Sequence, residues 1–205
     1  MGAAVAAVEY VAVGAVATTA SLTLPAADVG QRRFIFIGAF DSDAELAPTY
    51  TLAGWTSVAY IGPTLSAFPW GVGALTRVKV GGDPDAVTVT IGNASFPANV
   101  RACGVTVANG VSIDPTVSQK SQAGSSITFD NLTPLNDGSL ILACCYNRAG
   151  QNHTWVNGIG TEIADSNGLS VAYLAADAEL TTTQKPMAGV NNIDTAGVAF
   201  VVAPA

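Results

Sequence analysis

Along most of this chain apolar and polar residues change places every one or two positions, in short runs that end on Gly, Pro, Asn or Asp, which is the rhythm of β-strands. Val87-Thr88-Val89-Thr90-Ile91 alternates with period two and stops at Gly92-Asn93. Val72 to Val80 also alternates, carrying Arg77 and Lys79 among apolar neighbours, before Gly81-Gly82-Asp83-Pro84-Asp85. These two segments read as a hairpin with a longish turn. Two runs are too continuous to have a wet face: Arg33 to Phe40, bounded by Asp41-Ser42-Asp43, and Ser139 to Tyr146, entered through Asn136-Asp137-Gly138. Both are predicted to be central strands buried on two faces.

Further strands are expected within Val8 to Leu24 (two strands, or one bent at Gly14), Leu52 to Ile61, Val100 to Val107, Ile127 to Phe129, His153 to Ile163, Leu169 to Leu174 and Gly197 to Val202. Asn109-Gly110 and Asn167-Gly168 are turn signals, because Asn and Gly accept positive φ. The polar stretch Asp114 to Ser126 is the best loop candidate, and Asp177 to Thr195 is polar, with room for one helical turn near Ala175 to Leu180. No convincing amphipathic helix occurs. The fold class is therefore all-β, an antiparallel β-sandwich of about ten to twelve strands. Residues 1–25 form an amino-terminal strand segment, and residues 26–205 a single β-sandwich domain. A weak internal echo is present: Gly30-Gln31-Arg32-Arg33 before an apolar run, then Gly54-Trp55-Thr56, parallels Asp137-Gly138-Ser139 before an apolar run, then Gly160-Thr161-Glu162. Two short matches do not establish a repeat.

Composition sharpens this picture. Among 205 residues only 11% are charged while 49% are hydrophobic, and the net charge is -7. A polyanion is repelled at long range, so direct nucleic-acid binding is not expected. With so few charges, much of the exterior is neutral Ala, Val, Thr, Ser or Asn, and such faces suggest partner surfaces. The competing reading is a soluble monomer with a Thr/Ser-rich coat. The apolar start lacks Lys or Arg ahead of it and is interrupted by Glu9 and Tyr10, so it does not read as a secretory signal. No stretch has the length and purity of a membrane span. Cys103, Cys144 and Cys145 are odd in number and two are adjacent, so they read as small buried hydrophobes rather than a disulfide framework.

Catalytic and metal chemistry finds little footing. His153 is the sole histidine, and no serine sits in a nucleophile elbow; it reads as a surface or strand-edge residue, and zinc lacks ligands. Asp41, Asp43 and Glu45, and separately Asp83 and Asp85, are acidic clusters that do not match the EF-hand pattern. Gly71-Val72-Gly73 and Gly158-Ile159-Gly160 lack the following helix and Lys of a phosphate loop. Trp55, Trp70 and Trp155 with Phe68, Tyr50 and Tyr60 are candidates for a sugar-stacking platform, since flat rings match the apolar faces of pyranoses; the loop Pro63 to Trp70 is where exposed rings are most plausible. No cofactor is expected.

The succession Gly30-Gln31-Arg32-Arg33-Phe34-Ile35-Phe36, Gly54-Trp55-Thr56, Asp83-Pro84-Asp85-Ala86-Val87-Thr88-Val89-Thr90, Asp137-Gly138-Ser139-Leu140-Ile141-Leu142-Ala143 and Val198-Ala199-Phe200-Val201-Val202 resembles accessory virion proteins of tailed bacteriophages. This chain departs from their pattern at Gln31, where an acid is usual, and at Ala53, where proline is usual. The resemblance spans roughly Gly30 to Ala203 and implies a jelly-roll-like sandwich on the head or tail of a particle, as a symmetric oligomer such as a trimer. It implies no catalytic residues. The chain is then expected to be a non-enzymatic capsid decoration, cement or head-fibre protein, made in the host cytoplasm and located in the virion. Its partners would be copies of itself and major capsid or tail proteins, without nucleic acid or membrane. Tyr10, Val11 and Val13 in the amino-terminal segment, a docking arm by strand addition, and Phe68 and Trp70 are the candidate partner or glycan contacts. The alternatives are a tail-tip or fibre module that reads host glycans through Pro63 to Trp70 and Asp114 to Ser126, and a sandwich-fold glycan-active enzyme using acids such as Asp41 and Asp43.

Overall fold

Every strand in the computed structural model pairs antiparallel with its neighbours. The described residues are 5–8, 18–41, 46–62, 69–93, 97–108, 112–122, 126–130, 132, 138–147, 149–150, 152–156, 161–166, 168–175, 187–189 and 195–204. The first half holds β1 (Val5–Val8), β2 (Thr19–Thr23), β3 (Arg32–Asp41), β4 (Thr49–Thr51), β5 (Thr56–Ile61), β6 (Trp70–Val78), β7 (Ala86–Gly92) and β8 (Pro97–Val107). The second holds β9 (Ser112–Gln122), β10 (Ser126–Thr128), β11 (Leu140–Asn147), β12 (Thr154–Val156), β13 (Thr161–Ser166), β14 (Leu169–Ala175), β15 (Met187–Gly189) and β16 (Thr195–Ala203). The all-β expectation holds. The strands among the described residues nevertheless exceed the ten to twelve anticipated, because three-residue strands such as β4, β12 and β15 are too short to show a period.

The halves repeat one another. The first half forms a five-stranded sheet ordered β1-β8-β3-β6-β5 and a three-stranded sheet ordered β2-β7-β4. Raising each number by eight gives β9-β16-β11-β14-β13 and β10-β15-β12, which are the two sheets of the second half. The echo seen in the sequence falls on equivalent strands: Gly30 (φ 93) leads into β3, and Gly138 (φ 79) leads into β11. Irregularities recur too. The β5–β6 register shifts between Ser57 and Ala59, and the β13–β14 register between Glu162 and Ala164, so a bulge bends the same edge strand in each half.

Four layers result, and three apolar clusters fill the gaps between them. The two five-stranded sheets face each other across a central cluster that includes Phe34, Phe36, Trp70 and Val105 from the first half and Leu142, Tyr146, Val198 and Phe200 from the second. A second cluster lies between the first half's two sheets (Leu22, Ile35, Tyr50, Ile91), and a third lies between those of the second half (Ile127, Phe129, Ile141, Val201). This is why Arg33–Phe40 and Leu140–Tyr146 read as continuous apolar runs: alternate residues enter different clusters, and both clusters are dry. Cys144 and Cys145 show it directly, the first in the central cluster and the second in the outer one. Both are free thiols, as is Cys103, and burial pushes the thiols of Cys144 and Cys145 up.

Two connections differ from the sequence reading. β6 and β7 are not a hairpin. β6 is flanked by β3 and β5, and β7 by β2 and β4, so the Gly81–Asp85 turn carries the chain from one layer to another. Asp114 to Ser126 is not a loop: most of it is β9, paired with β16 at the edge of its sheet. Its polar composition is the composition of an edge strand, where apolar residues would invite unwanted pairing. Asn109-Gly110 and residues 176–180 lie outside the described residues.

Candidate functional site

Three of the stretches quoted for the phage resemblance converge on one corner of the first half. Arg33, the second residue of β3, is 2% exposed; its guanidinium pairs with Asp85 and donates to the carbonyls of Pro25 and Pro84, each at 3.2 Å. Directly across the ladder stands Arg77 of β6. Its Nε and Nη2 donate to the two carboxylate oxygens of Asp83 at 2.8 and 2.6 Å, and its Nη1 donates to the Gly54 carbonyl at 3.0 Å. Lys79 completes the group, donating to the Asp83 carbonyl at 2.6 Å and the Asp85 carboxylate at 2.8 Å.

Local chain geometry sets these partners. The turn Val80 to Asp83 closes with a 3.1 Å bond from the Asp83 amide to the Val80 carbonyl and uses Gly82 at φ 83, which glycine tolerates without strain. Asp83 in turn accepts from the Val80 amide at 3.0 Å. On the facing side, the Leu52–Trp55 turn passes through Gly54 at φ 76, where a β-carbon would collide with the Arg77 guanidinium. The positive φ calls for glycine at position 54, and a β-carbon there would push the Arg77 guanidinium off the Gly54 carbonyl.

Between these turns lies a cleft of about 330 Å³, lined by Leu52, Trp55, Arg77, Asp83, Pro84 and Thr88, with Arg33 beneath. Trp55 is half-buried and packs partly against the second apolar cluster. Lys79 first and Arg33 second hold the Asp85 carboxyl down, from 3.8 to about 2, although its side chain is 45% exposed. Arg77 and then the Val80 amide lower Asp83 as well. The Asp83 and Asp85 cluster is thus an ion-pair network, and among the described residues no group of three or more His, Cys, Asp or Glu is placed to hold a metal.

The other sequence candidates are placed as follows. Trp70 is a correction. It is 0% exposed, inside the central cluster, so its ring cannot stack on a sugar; a large apolar side chain opening a central strand goes to the dry face. Phe68, Tyr10, Val11, Val13, Asp43 and Glu45 lie outside the described residues. Asp41 is buried at the end of β3, its amide donating to the Pro69 carbonyl at 2.9 Å. His153 stands directly ahead of β12, an edge strand of its sheet, but it is not a surface residue: it is 3% exposed and bonds the Asn147 side chain at 3.3 Å. Trp155 and Tyr50 occupy the middle of β12 and β4, and each ties its outer layer to the inner sheet. The Trp155 indole donates to Ser170 at 2.6 Å, and the Tyr50 hydroxyl donates to the Gly71 carbonyl at 2.6 Å. Trp55 belongs to the aromatic set that the sequence offers, but the Arg77–Asp83 pair beside it is not legible there, since nothing local distinguishes it from solvated charges at strand ends. No protein-family model, curated protein or solved structure matches this chain.

These groups set the response to acid. Burial lowers His153 from 6.5 to about 4, so the fold favours the neutral ring; the stability it contributes is complete above 6.5 and is lost as pH falls towards 4. Asp85 is depressed, so its contribution is complete above 3.8 and is lost as pH falls towards 2. Urea midpoints measured against pH are expected to decline across both windows. His153→Gln should remove the upper decline, and Asp85→Asn the lower.

Proposed function

We propose that this chain is a non-enzymatic structural component of a tailed-phage particle, a decoration or cement protein that lays a neutral face on the assembled shell. Its fold, in this reading, is a tandem of two jelly-roll-like β-sandwiches. Support comes from the nesting of pairs in each half: β1 with β8, β2 with β7 and β3 with β6, then β9 with β16, β10 with β15 and β11 with β14. Nested pairs of this kind arise when one long hairpin is rolled up on itself.

The observation that carries the functional reading is the outer face of β2-β7-β4. Thr19, Thr90 and Thr51 stand in one row across the three strands, and Ser21 and Thr88 follow in the next, all exposed. No residue of β2, β4 or β7 is charged. Such a face loses little on dehydration, because its hydroxyls can be satisfied by partner groups and its methyls gain from burial. Charged rims would have to be stripped of water first. Binding only the assembled shell then stabilises the particle by mass action.

The test is add-back. Purified protein is mixed with particles assembled without it, and occupancy and heat release of the genome are measured. Binding at symmetry positions with delayed heat release is expected, and Thr90→Lys should cut occupancy at least about tenfold, since it buries an unpaired charge. Particles that ignore the wild-type protein would sink the proposal.

A further inference from the structure

We propose that the cleft between Trp55 and the Arg77–Asp83 pair is a binding site for a neutral saccharide. This does not depend on where on a particle the chain sits. The first argument is chemical. A half-buried indole supplies an apolar platform for the C–H face of a sugar ring. Beside it, a guanidinium held at three points and its carboxylate partner give coplanar donors and acceptors, the arrangement that vicinal hydroxyls satisfy. Because these groups are anchored before any ligand arrives, little ordering cost is left for binding. The cleft, about 330 Å³, falls at the small end of the roughly 300–1,000 Å³ usual for small-molecule sites.

The second argument comes from the repeat. Arg33 stands three residues after Gly30 and faces Arg77 across the β3–β6 ladder; Ile141 stands three residues after Gly138 and faces Leu174 across the β11–β14 ladder. Phe34 and Phe36, like Leu142 and Cys144, face the central cluster, so the two registers correspond. The second half thus builds the same corner with Ile141 buried and Leu174 packed against the third cluster. That ladder position does not need a pair of arginines, since two apolar side chains fill it in the second half. Among the described residues the arginine pair on this ladder is thus peculiar to the first half, and a ligand site there accounts for it. Arg33, Arg77 and Lys79 are each already paired with Asp83 or Asp85, and Arg33 and Lys79 share Asp85, so every cation has a carboxylate partner before a ligand arrives; the sulfate, phosphate and uronic-acid arms of the titration test whether the excess positive charge draws an anion instead.

Three indoles make the test direct. In a ¹H–¹⁵N spectrum of the intact chain, titrated with a panel of neutral mono- and oligosaccharides and with sulfate, phosphate and uronic acids, one indole signal, that of Trp55, is expected to shift saturably with a neutral sugar. Signals of the fully buried Trp70 and of Trp155 should stay in place. Trp55→Ala should weaken binding at least about tenfold while calorimetry shows the protein still folded, Trp55→Phe should retain part of the affinity, and Arg77→Leu, which copies the second half, should fold and fail to bind. If no saccharide moves the Trp55 signal, if only anions do, or if a sugar binds elsewhere, the assignment is overturned.

Discussion

Phe200→Ala is expected to destabilise the chain by about 3–5 kcal/mol, the usual cost of truncating a buried phenylalanine. Phe200 belongs to the second half, yet its ring lies 5.5 Å from that of Phe34 and 6.0 Å from that of Phe36, both in the first. All three are fully buried. Emptying this site removes transfer free energy and leaves a cavity between two sheets that cannot collapse onto each other without sliding. Phe129→Ala, confined to the outer cluster of the second half, serves as the comparison. In urea both variants should lose stability, but only Phe200→Ala should make the two halves unfold at separate midpoints, followed by signals from Trp70 in one half and Trp155 in the other. A loss below about 1 kcal/mol would mean that the central cluster does not lock the halves together.

The second large effect is expected where β3 meets β11. Gly38 carries no side chain because the Tyr146 ring occupies that space: a β-carbon at position 38 would overlap ring atoms and come within 2.9 Å of the Tyr146 β-carbon. The ring cannot swing away freely, since its hydroxyl donates to the Asn99 carbonyl at 3.0 Å and it is fully buried. Gly38→Ala should therefore cost about 1–3 kcal/mol, and Gly38→Val more, through overpacking. A double-mutant cycle identifies the cause: in a Tyr146→Ala background the Gly38→Ala penalty should shrink by more than half. An unchanged penalty would place the strain elsewhere. By the register of the repeat Gly38 and Tyr146 occupy equivalent positions, eight residues beyond Gly30 and Gly138. The halves therefore meet as large against small, and neither could be exchanged for a copy of the other.

The ionic corner adds the same lesson about asymmetry. Arg33 and Arg77 answer to Ile141 and Leu174, so duplication of a topology has not meant duplication of chemistry. The neutral Thr/Ser face and the Trp55 cleft lie in the same half, and the two proposals assign them different partners, a protein shell and a small neutral sugar. Variants at Thr90 and Trp55 separate them.

What the sequence determined alone was the strand character and the dry core. Period-two alternation in Val87–Ile91, unbroken apolar runs in β3 and β11, and glycine or Asn-Gly punctuation are local facts, and local sterics and hydrophobicity suffice to read them. Opposite facing of Cys144 and Cys145 followed from the same pleat. Long-range pairing alone settled which strands are partners. Alternation says that β6 and β7 are strands, but not that a five-residue turn carries the chain between layers instead of folding it back. Edge position made β9 look like a loop, and three-residue strands leave no period to detect. Burial of Trp70 and His153, and the meeting of Arg33, Trp55, Arg77 and Asp83, depend on residues far apart in sequence, whose side chains carry no local mark of the neighbours that long-range pairing gives them.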